Sequence, residues 1–136
     1  TDIRQLLLPA DFPCGGSDPS VSQNLENARD LLLRLSKQGL DFDAVVTSDD
    51  SLAVGAVKYA HAKGISVPDQ LSIIGYNNSL LSRCTDPEIT SIDSRVETLC
   101  TTTVKTLMGV FSGESVPSRT TIASDLIKET PQTFNI

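Results

Sequence analysis

The chain has 136 residues, enough for one domain with a sizeable hydrophobic core or for a piece of a larger protein. Its 17 acidic residues against 11 Lys and Arg leave a formal charge of −6, which argues against this segment gripping a phosphate backbone, since such surfaces are basic. No apolar run approaches the roughly 20 residues of a membrane span, and Thr1-Asp2 does not open a secretory signal, so a soluble, cytoplasmic chain with no membrane partner is expected.

Leu6-Leu7-Leu8, ended by Pro9, predicts a short buried strand whose tip is Ala10-Asp11-Phe12. The breaker-rich stretch from Pro13 to Pro19 is a loop, and a helix can begin near Pro19 with Asp18 as its N-cap. Val21, Leu25, Ala28, Leu32 and Leu35 share one face of that helix, and Gly39 is expected to stop it.

Ala44-Val45-Val46 then reads as a buried strand, ending at the acidic tip Ser48-Asp49-Asp50. Alanines and valines follow at helical spacing (Ala53, Ala56, Val57, Ala60) as far as Gly64, where a C-terminal cap is expected. The N-terminal cap of this helix is expected at Asp50. Pro68-Asp69 turns the chain into a second apolar strand, Leu71 to Ile74, which ends in Gly75-Tyr76-Asn77-Asn78. Strand, helix, strand in this order is a βαβ unit, and a right-handed crossover makes its strands parallel. Both polar tips therefore fall at the carboxyl edge of one sheet, where open α/β sheets bind small ligands.

Beyond Asn78 the pattern changes. Residues 79–93 hold Pro87 and Ile89-Thr90-Ser91-Ile92, an extended segment rather than a helix. A strongly amphipathic helix is predicted over 94–112, with Val96, Leu99, Cys100, Thr103, Val104, Leu107, Met108 and Phe111 on one face. Three consecutive threonines, Thr101 to Thr103, lower its intrinsic propensity, so tertiary packing has to hold it. Gly113 and Pro117 end it, and the stretch from Thr120 to Ile127 reads as a last strand before a polar tail.

Chemistry-bearing residues are sparse. Cys14, Cys84 and Cys100 are odd in number and lack metal-ligand spacing, which favours free thiols over one disulfide plus a spare thiol. His61 has no acidic or Cys partner at ligand spacing and reads as a structural, partly exposed side chain. Asp49 and Asp50 as neighbours on a strand tip point in different directions, and no nucleophile motif, phosphate-cradling glycine loop or metal cluster accompanies them. Binding without turnover, and with no cofactor, is the expectation.

Four stretches carry a family resemblance. Asp49-Asp50-Ser51-Leu52-Ala53-Val54-Gly55 is similar to an Asn-Asp-x-x-Ala-x-Gly motif, and Gly64 followed by Val67-Pro68 to Gly-x-x-Val-Pro. Ser72 to Asn78 resembles a strand ending Gly-Phe/Tyr-Asp-Asp/Asn, and Asp86 to Ile92 a Pro-x-Leu-Thr-Thr/Ser-Val crossover. Their order and spacing resemble the effector-binding core of the LacI/GalR family of bacterial transcription regulators. The fold implied is that of periplasmic sugar-binding proteins: an α/β three-layer sandwich with a parallel sheet, here the C-terminal subdomain in truncated form.

The resemblance further implies how the chain is divided. Residues 1–78 and 119–130 would form the C-terminal subdomain, and 79–118 a crossover and a helix belonging to the N-terminal subdomain. The DNA-binding headpiece and most of the first subdomain would lie outside this chain. Family ligand contacts map onto Phe12, Asp49 and Asn77, with Asp50 as helix cap and site support. Asp49 stands where the family usually has Asn, and Asn77 where it commonly has Asp. Both still hydrogen-bond hydroxyls, so the implied effector is a mono- or disaccharide, with a mild pointer to a glucoside. The implied partners are operator DNA, through the headpiece, and a second copy in a homodimer. A transport-linked sugar-binding protein of the same fold is the alternative, and an enzyme on a flavodoxin-like sheet a more distant one. Cut off from the first subdomain, the apolar face of the 94–112 helix is expected to lack its partner and to drive self-association.

Overall fold

The computed structural model of the chain describes residues 21–128. The strand at Leu6–Leu8, the loop that follows, the Asp18 cap, Phe12, Cys14 and the polar tail after Lys128 lie outside the described residues. In chain order the elements are α1 (Val21–Lys37), β1 (Ala44–Val46), α2 (Asp50–Lys63), β2 (Ser72–Tyr76), a 3-10 turn (Leu80–Arg83), β3 (Thr90–Asp93), α3 (Val96–Phe111) and β4 (Asp125–Ile127). The strands form one open sheet in the order β1-β2-β3-β4.

β1, β2 and β3 are parallel, with Val45 opposite Ile73 and Gly75 opposite Ser91. β4 runs antiparallel to β3, so the sheet is mixed where an all-parallel one was expected. The parallel part follows from the α2 crossover, while β4 re-enters after the long excursion through α3 and is free of that constraint. Thr90–Asp93, expected to be part of the crossover, is hydrogen-bonded into the sheet as β3. The extended segment before it also contains the short 3-10 turn, in which Ser82 is buried and its hydroxyl donates to the Ser79 carbonyl at 2.9 Å.

The core sits between α1, α2 and one face of the sheet. Leu32 and Leu35 of α1, Ala53, Ala56, Val57, Tyr59 and Ala60 of α2, Leu71, Ile73 and Ile89 form one buried cluster. α2 is enclosed by α1 on one side and by β2 on the other, which explains its small residues. Gly55 marks the closest approach to α1: a Cβ there would lie 2.7 Å from that of Ala28 and would run into the Leu25 carbonyl oxygen. Gly64 ends the helix at φ +66° with its N–H on the carbonyls of Ala60 and His61, as the sequence predicts. Phe42 packs on Tyr59 with ring centroids 5.8 Å apart.

Two expectations about burial need correcting. β1 is an edge strand among the described residues, so Val46 is 69% exposed and only Val45 is half-buried. Val21, at the start of α1, is also exposed, leaving Ala28, Leu32 and Leu35 as the buried stripe of that helix. The second helical layer of the expected sandwich does not lie among the described residues.

α3 forms over nearly the span that its periodicity predicts. Thr103 and Thr106 satisfy their hydroxyls on the carbonyls of Leu99 and Thr102 within the helix. Its apolar face stays open: Val96, Leu99, Val104, Leu107, Met108 and Phe111 are all between 49% and 76% exposed. One flank of α3 and residues 117–122 line an open groove of about 350 Å³.

Candidate functional site

The carboxyl edge of the sheet is built by the ends of β1, β2 and β3. At the end of β1, Thr47 donates its backbone N–H to the Ile74 carbonyl at 2.9 Å, and its hydroxyl lies 2.9 Å from the Asp49 carbonyl. This holds Asp49 in extended backbone, φ −159° and ψ 149°, where one carboxylate oxygen accepts the Ser51 N–H at 2.7 Å. Asp49 is therefore the cap of α2, one residue before the expected Asp50. Its second oxygen, Oδ2, faces β2 and accepts from Asn77 Nδ2 at 3.3 Å.

Asn77 and Asn78 close the end of β2 with positive φ, +94° and +47°, a region that Asn tolerates better than most residues. Three successive backbone N–H groups fix this turn. Asn77 donates to the Ile92 carbonyl at 2.8 Å, Asn78 to Ser91 Oγ at 3.0 Å, and Ser79 to Asp50 Oδ2 at 2.6 Å. The Asn78 side chain reaches Asp93 Oδ2 at 3.4 Å, and Asp93 Oδ1 accepts the Arg95 N–H at 2.7 Å. Arg95 in turn pairs with Asp125 at 3.6 Å.

Asp50 is fully buried rather than presented at the edge. As the first residue of α2 it places its charge at the positive end of the helix dipole, and it takes the Ser91 hydroxyl at 2.7 Å beside the Ser79 N–H. Gly75 makes room for it, since a Cβ there would run into Asp50 Oδ1.

Of the residues singled out from the sequence, Asp49 and Asn77 come together on an open rim, Asp50 lies beneath them, and Phe12 is outside the described residues. The sequence reading missed Asp93 and Ser91. The signal for Asp93 was present: Ile89-Thr90-Ser91-Ile92 is a β-branched run ending in an acid, the same form as the first strand and its tip. Ser91 had no local signal, because its partner Asp50 is 41 positions away. Arg29 of α1 has its pKa raised by the Asp30 hydrogen bond, against the effect of burial and with help from Glu26, and takes no part in this edge. Among the described residues no cluster of His, Cys, Asp and Glu could hold a metal ion, and no helix is long and apolar enough to cross a membrane.

With β1, β2 and β3 parallel, α2 as the crossover and a polar rim at their carboxyl ends, the chain falls in the class of open α/β folds. Residues 4–128 match the periplasmic binding protein-like domain, and the chain belongs to that family, in the form found in the effector-binding part of LacI/GalR-type regulators. An HTH-type transcriptional regulator of Lachnoclostridium phytofermentans is 56% identical over 104 residues, covering 76% of this chain and 31% of the relative. A solved sugar-binding transcriptional regulator of the LacI family from Escherichia coli, complexed with phosphate, is 28% identical with a TM-score of 0.66, over 80% of this chain and 38% of that one. A dimeric Lac repressor with an 11-residue C-terminal deletion shares the fold at a TM-score of 0.71 and 23% identity, over 77% of this chain and 39% of that one. The chain thus spans about a third of the length of the curated relative.

Proposed function

We propose that this chain is one wall of the effector site of a LacI-type transcription regulator, and that Asp49 and Asn77 hold the hydroxyls of a neutral mono- or disaccharide. The observation that carries the reading is the Asp49–Asn77 pair, which puts a carboxylate and a carboxamide side by side at an open rim. A vicinal diol needs this mixture, because each sugar hydroxyl both donates and accepts. The regulator from L. phytofermentans and the sugar-binding regulator from E. coli support it by their likeness. Phe12 would stack on the apolar face of the sugar, and Asp50 supports the rim from beneath.

In the whole protein, a second subdomain would close over the sugar; residues 79–93 run into β3 of the sheet described above, so the part that would reach across is 94–118. That closure would change how a homodimer presents its DNA-binding heads to operator DNA in the cytoplasm. The chemistry is binding without turnover, with no cofactor. The periplasmic binding protein-like match also favours a second reading, a sugar-binding protein of a transport system. A helix-turn-helix encoded upstream decides for the regulator, a signal peptide for the transporter.

Calorimetry on the full-length protein with glucose, galactose, maltose and cellobiose tests the site. Asn77→Gly is the informative variant, because at φ +94° an alanine would add backbone strain to the loss of the side chain. Removing one buried hydrogen-bond partner costs about 1–3 kcal/mol, so affinity is expected to fall at least fivefold. An unchanged affinity removes Asn77 from the site.

A further inference from the structure

We infer that Ser91 and Asp50 are positioning residues for this rim, acting on the ligand through the Asn77–Ser79 turn; this rests on the sugar-site reading above. The turn has two consecutive non-glycine residues at positive φ, an arrangement that costs free energy at each and persists only when the surroundings fix it. What fixes it is the row of three N–H groups. Their acceptors come from separate parts of the chain: the backbone of Ile92, the hydroxyl of Ser91 and the carboxylate of Asp50.

The last two acceptors are one unit. Ser91 Oγ accepts from Asn78 and donates to Asp50 Oδ1, while Asp50 Oδ2 accepts from Ser79. The Ser91 hydroxyl proton is thereby oriented toward Asp50, so its lone pairs face the turn. Ser91 is 1% exposed and Asp50 is fully buried, so no water competes for either group. The consequence reaches the rim directly, because Asn77 is the residue before this clamp and its carboxamide orientation toward Asp49 depends on the backbone that the clamp holds. Neither Ser91 nor Asp50 touches a ligand in this arrangement.

A double-mutant cycle separates positioning from general stability. In the full-length protein, Ser91→Ala is expected to weaken sugar binding about tenfold. In an Asn77→Gly background the same change is expected to alter affinity less than twofold, since the side chain it positions is gone. Equal losses in both backgrounds would make Ser91 a general structural residue and overturn the inference. Hydrogen exchange of the amides of residues 77–79 supplies the second arm. Ser91→Ala and Asp50→Asn should each speed that exchange at least tenfold while Ala53–Ala60 of α2 stays protected. Unchanged protection of the turn in both variants overturns the inference whether or not a sugar is found. Absence of sugar binding by the parent protein, with faster exchange in the variants, sinks the sugar reading and keeps the clamp.

Discussion

α2 and α3 are of similar length, 14 and 16 residues, and their fates are opposite. α2 is rich in small residues (four Ala, one Gly, one Ser and two Val among its 14 residues), carries a side-chain N-cap and a glycine C-cap, and is buried along most of its length. α3 has the larger apolar side chains, starts at Arg95 without a side-chain cap, and buries only Gly109. Apolar content therefore does not rank burial here. Small residues mark a helix approached closely on two sides, whereas the large apolar residues on one stripe of α3 are left uncovered among the described residues.

The largest effect expected from this contrast is at Leu71, which is 1% exposed in the cluster beneath α2. Leu71→Ala should cost about 2–5 kcal/mol in urea unfolding, the range for a buried leucine whose cavity only partly collapses. A loss no larger than that of Leu107→Ala in α3 would show that the two regions do not differ as their burial indicates.

Next is Gly75→Ala, with an expected loss of about 1–3 kcal/mol from overpacking against Asp50. Far-ultraviolet circular dichroism through a urea titration measures it. Combining it with Asp50→Asn should give less than the sum, because both act on one contact. Strict additivity would separate Gly75 from the Asp50 clamp.

The same contrast explains how much could be read in advance. α2 and its flanking strands were legible because their signals are local: a β-branched run, an Asp tip, alanines at helical spacing, and Gly64 at a left-handed cap. The role of Asp50 was not, because two adjacent aspartates offer the same capping chemistry. What assigns them is where Ser79 and Ser91 end up, 29 and 41 positions away. The direction of β4 was hidden for a related reason: three residues at the end of a long excursion carry no orientation signal of their own. In the site, the Asp49–Asn77 pair was visible as two polar strand tips, while the clamp beneath it exists only in the assembled sheet.

Gly64→Ala should be milder. Its φ of +66° is costly for a residue with a Cβ, yet nothing lies within 4 Å of the added atom, so only the backbone term applies. That term is about 1 kcal/mol, measurable as a shift in the urea midpoint at unchanged slope. A change of several kcal/mol would mean that the cap also holds the Ile65 turn, where the Ile65 N–H donates to the Ala60 carbonyl at 2.9 Å.

The smallest effect on folding is expected at Leu107, and it is there that the comparison can be decided. Leu107 is 51% exposed, so Leu107→Glu should change the unfolding free energy by no more than about 0.5 kcal/mol. Association is another matter. Leu99, Val104, Met108 and Phe111 are open on the same helix, and burying such side chains contributes about 1.5–3 kcal/mol each. Several together are enough to hold two copies of this chain against each other. Sedimentation of the 136-residue chain should therefore show dimers or larger species that Leu107→Glu converts to monomers. A monomeric parent chain whose α3 amides are slow to exchange would mean that the chain covers this face itself, and the difference between the two helices would then belong to the described residues alone.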